Sequence, residues 1–199
     1  MNIGFFTDGY LPQPNGVATS VEAWAKGLEK LGHKVYIIAP KYKNFKDDSE
    51  RIIRLPSLKI LDKPDIRLGF PLSIKSIVKI YKLKFDIIHA TSGGSISTLG
   101  LIVARAKKIP YVFTYYTRFN HYAHYLFSGK IIKPYMIKAV SRMFCNKCDT
   151  VIVPMQSIKN ELISFGVKKP IVVMPSGVDI DKFKKQKKGF LRKKAGVEN

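Results

Sequence analysis

A chain of 199 residues that is 46% hydrophobic and 25% charged has an ordinary globular composition. It can bury roughly 70% of the surface its unfolded form exposes, which excludes disordered and fibrous classes and favours one large domain. Lys and Arg number 35 against 14 Asp and Glu, a formal charge of +21 that points to a polyanionic partner, an anionic membrane surface or a lysine-favouring genome. Two cysteines make no disulfide framework, no secretory signal opens the sequence, and no run reaches the roughly 18 apolar residues of a membrane span, so the expected setting is cytoplasmic, soluble or peripheral at the inner face of the membrane.

Short apolar runs alternate with helical patterns along most of the chain, which predicts an α/β fold with a doubly wound, Rossmann-like parallel sheet. Asn2 to Thr7 reads as the first strand. A loop with Pro12 and Pro14 follows, then a helix with Val17, Val21, Trp24, Ala25, Leu28 and Leu31 on its apolar face, ended by Gly32. Val35 to Ala39 and Ile52 to Leu55 are strands stopped by Pro40 and Pro56, with a polar, mobile loop expected between them. Leu72 to Lys84 reads as an amphipathic helix with Ile74, Ile77, Val78 and Tyr81 on one side and Lys75, Lys79 and Lys82 on the other.

Asp86 to Ala90 is a buried strand, followed by a Thr91-Ser92-Gly93-Gly94-Ser95 turn and a helix to Lys107 or Lys108. Pro110 opens a strand ending near Tyr115, and an aromatic, histidine-rich loop from Tyr116 to Phe127 leads to a helix over about Ile131 to Asn146. A strand at Thr150 to Val153, a helix from Gln156 to Phe165 closed by Gly166, and a strand at Ile171 to Met174 complete the pattern. Residues 1–181 are expected to form one domain. From Lys182 to Lys194 eight basic residues crowd a segment poor in apolar ones, so 182–199 reads as a basic linker.

In such sheets ligands bind beyond the carboxyl ends of the strands. After the first strand, Asn15, Gly16 and Val17 stand at a helix amino end, where backbone amides and a partial positive charge suit a phosphate. The same residues serve equally well as a helix cap with turn glycines. The Thr91–Ser95 turn has similar geometry with added hydroxyls, although Gly93 and Gly94 are better explained by a tight strand-to-helix passage. Four tyrosines and two histidines between Tyr115 and Tyr125 offer hydrogen bonds and stacking faces for a polar acceptor, the bland alternative being a packed aromatic surface loop. His121 and His124 lack nearby carboxylates and Cys145-Asn-Lys-Cys148 lacks a second pair, so no metal site is expected. Dinucleotide, P-loop, serine-hydrolase, zinc-protease and kinase motifs do not occur. Only seven of the 35 cations are arginine, the fork favoured in base readout, which makes nucleic acid the least favoured partner.

Four segments, FFTDGYLPQPNGVATSV, DIIHATSGG, IPYVFTYYTRFNHYAHY and VIVPMQSIKNELISFGVKKPIVVMPSGVDIDKF, resemble in order the amino-terminal domain of family 4 glycosyltransferases of the GT-B fold. Within that family the loop pattern T-Y-x-T…Y-x-H-Y is most similar to enzymes that glucosylate diacylglycerol. The resemblance implies half of a two-domain enzyme that transfers a hexose, with UDP-glucose the expected donor, to a membrane lipid with retention of configuration. The sugar nucleotide is then a substrate, and no resident cofactor is expected. The E-x7-E pair of the family's second domain does not occur, so a carboxyl-terminal donor-binding domain is expected in cis or in trans.

By the same resemblance, Asn15, Gly16 and Val17 would lie against the donor diphosphate, and Ser176, Gly177 and Asp179 would line the interdomain hinge. Asp8, Arg118, Tyr122 and Tyr125 are the acceptor-site candidates. Family members usually carry a histidine where this sequence has Tyr116, and a phenol is a poor base at neutral pH. His121 and His124 are the candidates to compensate. Lys75, Lys79, Lys82, Lys130, Lys133 and Lys138 would meet anionic lipid, each adding about 1 kcal/mol. The rival reading is a stand-alone, non-catalytic module that binds lipid or a partner chain.

Overall fold

The computed structural model describes residues 1–13, 15–60, 63–70, 73–116 and 134–177. The expected linker at 182–199 therefore lies outside the described residues. Strands β1 (Asn2–Phe6), β2 (Lys34–Pro40), β3 (Ile52–Leu55), β6 (Ile87–Ala90), β7 (Tyr111–Thr114), β8 (Thr150–Val153) and β9 (Ile171–Val173) form one sheet. Their order is β3-β2-β1-β6-β7-β8-β9, and every neighbouring pair is parallel. The Rossmann-like expectation holds.

Side-chain alternation along the strands supplies a separate core to each face. Phe5, Val35, Ile37 and Ala39 pack with Val21 and Ala25 of helix α1 (Gly16–Lys30). Phe6, Ile38, Leu55, Ile88 and Val151 point the other way. There they meet Ile80 of α2 (Ile74–Lys82), Ile96 and Val103 of α3 (Ser95–Lys107), Cys145 of α4 (Pro134–Cys145) and Leu162 of α5 (Gln156–Ser164). Burial of each large apolar side chain of this kind contributes about 1.5–3 kcal/mol. Gly100 lets α3 approach β1, because a Cβ there would stand 2.8 Å from the Phe6 ring.

Three features depart from expectation. A second, antiparallel sheet pairs β4 (Ser57–Ile60) with β5 (Lys63–Gly69), where the sequence predicted no strand. Helix α2 buries Ile80, while Ile74, Val78 and Tyr81 are 79%, 45% and 55% exposed. Apolar residues cover more than half of its circumference, and only the side bearing Ile80 meets the sheet. The loop before β3, read as mobile, is anchored by Arg54. That guanidinium binds both Asp47 oxygens, at 2.6 and 3.0 Å, and the carbonyls of Pro40 and Leu11, and it lies over the Tyr10, Tyr42 and Phe45 rings.

Candidate functional site

From β1 the chain winds outward through β2 to β3, then returns to place β6 on the opposite side of β1. The strand order reverses there, and a crevice at the carboxyl ends of β1 and β6 is the ligand position such a sheet offers. Two loops line it, the one from Thr7 into α1 and the one from Thr91 into α3.

Asp8 joins these loops. Its Oδ2 accepts from the amides of Gly94 (3.0 Å) and Ser97 (3.3 Å) and from the hydroxyls of Ser92 (3.2 Å) and Ser97 (2.9 Å). Its Oδ1 accepts from the Ile96 amide (2.8 Å) and the Ser95 hydroxyl (3.3 Å), while the Asp8 amide donates to Ser92 Oγ at 2.8 Å. A carboxylate offers about four lone-pair sites. These donors fill them, so the side chain expected at the acceptor holds the first turn of α3 instead. The turn glycines have structural reasons. Gly93 adopts φ 69°, and a Cβ on Gly94 would lie 2.6 Å from Asp8 Cγ.

Helix α1 begins differently. Asn15 caps it, its Oδ1 accepting from the Ala18 amide at 2.7 Å and its carbonyl from Thr19 at 3.1 Å. No described residue takes the amides of Gly16 and Val17, and Gly16 is exposed with nothing within 4 Å of where a Cβ would stand. Of the three donor-phosphate candidates, Asn15 acts as the cap, and Gly16 and Val17 present amides unpaired among the described residues at the positive end of the helix dipole.

On the α1 side of the sheet, Tyr116 follows β7 with its hydroxyl beside Ser20, Trp24 and Ser176. Burial pushes this phenol up from its ordinary value, and the neighbouring donors partly offset the shift. Tyr116 is thus neutral at physiological pH, a hydrogen-bonding group and no base. Ser176 brings the expected hinge segment to α1, with Ser176 and Gly177 both exposed. Beneath them His89 is buried, its Nε2 2.6 Å from Thr114 Oγ1 and its ring against Phe5 and Trp24 at 4.7 and 5.3 Å. Desolvation lowers its pKa to about 4, so the imidazole is neutral. The sequence did not single out His89, because one histidine in a buried strand carries no spacing signal.

Arg118, His121, Tyr122, His124, Tyr125, Lys130, Lys133 and Asp179 lie outside the described residues. Lys75, Lys79, Lys82 and Lys138 are exposed. Those on α2 share its surface with exposed Ile74, Val78 and Tyr81, and Lys138 shares α4 with exposed Tyr135, Met136, Val140 and Met143. No helix among the described residues is long and apolar enough to cross a membrane. Cys145 and Cys148 are both buried, and desolvation raises both thiols, Cys145 to about 12, which leaves them as inert core groups.

The model of Glycosyltransferase Family 4 matches residues 14–182. The chain is 35% identical over its whole length to an alpha-monoglucosyldiacylglycerol synthase of Streptococcus pneumoniae and 32% identical to that of Acholeplasma laidlawii. It covers 46% and 53% of them, so it spans about half the length of these curated relatives. Among solved structures, a sucrose-phosphate synthase from Thermosynechococcus elongatus superposes with a TM-score of 0.56 at 14% identity, covering 92% of this chain and 93% of that one. An alpha-glucosyltransferase in complex with UDP and DNA gives 0.54 at 16% identity, over 92% of this chain and 44% of its own. At such identities the likeness concerns the fold alone.

Proposed function

The chain belongs to glycosyltransferase family 4, and from that premise we propose that it is the acceptor-binding half of a retaining hexosyltransferase that moves glucose from UDP-glucose to the hydroxyl of a membrane diacylglycerol. The observation that carries the reading is the amino end of α1 at the switch point, whose Gly16 and Val17 amides no described residue takes, with the neutral Tyr116 phenol against Ser20 and Trp24 of the same helix. Relatives named for monoglucosyldiacylglycerol synthesis supply the substrate class.

In this reading the Gly16 and Val17 amides take charge that develops on the donor diphosphate, as preorganised donors that need no reorientation during transfer. Asn15 fixes their direction. Tyr116 donates a hydrogen bond near the transferring sugar, with His121 and His124 as further candidates for proton transfer. Arg118, Tyr122 and Tyr125 contact the acceptor, and Asp8 acts by setting the two loops. Ser176, Gly177 and Asp179 form the hinge toward a carboxyl-terminal donor-binding domain. Exposed lysines of α2 and α4, with Lys130 and Lys133, hold the protein peripherally at an anionic, cytoplasmic membrane face while the apolar residues between them enter the interface.

The test is transfer by the protein purified from its own cells, whose intact mass should be near twice the 22.6 kDa of this chain. With UDP-glucose and diacylglycerol vesicles it should form an α-glucosyl lipid. Sugar recovered only as free glucose, or no turnover at all, would overturn the reading.

A further inference from the structure

The β4–β5 hairpin turns a polar face to the protein and an apolar face outward. Directly opposed residues of an antiparallel pair share a face, and the faces alternate along each strand. The register therefore puts Ser57, Gly69, Lys59 and Arg67 on one face and the opposed pair Leu58 and Leu68 on the other. The first face meets the body of the domain. Ser57 Oγ donates to the Lys41 carbonyl and accepts from Arg67 Nε at 2.8 Å, and the Arg67 guanidinium lies 5.3 Å from the centre of the Tyr42 ring. A Cβ on Gly69 would stand 2.5 Å from Ile96 of α3, so glycine lets the hairpin sit this close. The leucines on the second face are 66% and 42% exposed.

A hairpin on a soluble surface ordinarily buries its apolar face and hydrates the other. Here hydrogen bonds of Ser57 and Arg67 fix the reverse orientation, so the leucine pair is held outward by the fold itself. The hairpin also starts and ends at the crevice. It leaves the carboxyl end of β3, the Phe70 amide closes its base on the Pro56 carbonyl at 2.7 Å, and the Gly69 carbonyl accepts from Ser95, the first residue of α3. The same Ser95 hydroxyl lies 3.3 Å from Asp8 Oδ1 at the switch point.

Charge identifies what the outward face meets. Lys59 beside the pair is exposed, and Ser57 to Lys84 carries seven Lys and Arg against two Asp. Five residues after β5, α2 begins with exposed Ile74, Lys75, Val78 and Lys79. An anionic bilayer offers hydrocarbon to the leucines and phosphate to the cations together. We infer that the β4–β5 hairpin is a membrane wedge whose leucine pair enters the acyl boundary and holds the crevice against the bilayer from which its acceptor comes. The inference rests on the lipid-acceptor reading above and deepens it. Lysines of α2 and α4 keep the protein near the surface, and the hairpin sets which way the crevice faces.

The test uses the full 199-residue chain as wild type, Leu58→Gln, Leu68→Gln, Leu58→Trp and the control Leu31→Gln. Leu31 is 74% exposed just before β2, at the other end of the sheet. None of these changes alters charge, and all fall on exposed side chains, so the thermal midpoint should hold. On vesicles of phosphatidylglycerol with diacylglycerol, Leu58→Gln and Leu68→Gln should each bind about five- to tenfold more weakly than wild type, and Leu31→Gln equally well. Leu58→Trp should emit like a solvated indole in buffer, beyond the signal of Trp24, and shift to shorter wavelength on the vesicles. Unchanged binding of both hairpin glutamine variants overturns the inference and leaves the acceptor reading standing. A Leu58→Trp emission already shifted in buffer overturns it as well, since protein would then cover the pair, from this chain or a second copy. No binding by the wild type overturns the membrane reading and this inference with it.

Discussion

Two helices start at the switch point, and their first turns have opposite fates. At α3 the amides of Gly94, Ile96 and Ser97 all converge on the Asp8 carboxylate, so the anion that a helix start attracts is part of the protein. At α1 the cap is the neutral side chain of Asn15, which satisfies Ala18 and leaves Gly16 and Val17 open. A built-in carboxylate turns one helix start into a structural joint. A neutral cap leaves the other with an uncompensated positive end, where an exogenous phosphate gains most. The crevice thus has a fixed side and a receptive side, and the proposed donor position lies toward α1.

The largest way to break this contrast is to remove the internal anion. Asp8→Asn keeps the shape but replaces one acceptor oxygen by an amide group that faces at least two donors, those on Oδ1, in whichever orientation it settles. The expected loss is about 3–4 kcal/mol, in the range for breaking a charge held by several hydrogen bonds. Urea unfolding measures it directly. A loss below about 1 kcal/mol would mean that α3 does not depend on Asp8. Such a result would also return that carboxylate to the list of acceptor contacts.

Acid should weaken the floor beneath the receptive side. His89 titrates at about 4 in the folded chain against about 6.5 unfolded, so between these values the unfolded chain binds more protons and stability rises with pH. The contribution is complete above about 6.5 and is lost as pH falls toward 4, amounting to about 2 kcal/mol by pH 5 and about 3 in all. Urea titrations at pH 7 and pH 5, compared with His89→Gln, isolate it. Equal slopes in the two proteins would show that His89 is charged or solvated when folded, and that the floor is not neutral.

Which parts of this picture the sequence carried follows from the range of the interactions. The strands of the large sheet are local apolar runs between turn residues, and Ile52 to Leu55 and Thr150 to Val153 match the observed β3 and β8 end to end. The β4–β5 hairpin was hidden because Pro64, Lys63 and Arg67 dilute any strand signal. The buried face of α2 was not legible because apolar residues cover more than half of it, and only the position of the neighbouring sheet selects Ile80. Asn15, Gly16 and Val17 were legible as a helix start, since a cap is written within a few residues. Asp8 and Gly94 lie 86 positions apart, and no local pattern reports that they meet.

The sharpest comparison makes the same small change at both helix starts. Gly94→Ala would put a Cβ 2.6 Å from Asp8 Cγ, and six hydrogen bonds prevent that carboxyl from yielding. Overpacking of this kind costs about 1–3 kcal/mol. Gly16→Ala meets nothing within 4 Å, and by restricting the unfolded chain it should stabilise by about 0.4–1 kcal/mol. Urea midpoints at unchanged slope give both values. If Asp8 causes the clash, the Gly94→Ala penalty should shrink by about 1 kcal/mol or more in an Asp8→Ala background, the coupling expected of residues in contact. Equal effects at the two glycines would erase the distinction between a closed and an open helix start. The phosphate position would then have to be sought on both sides of the crevice.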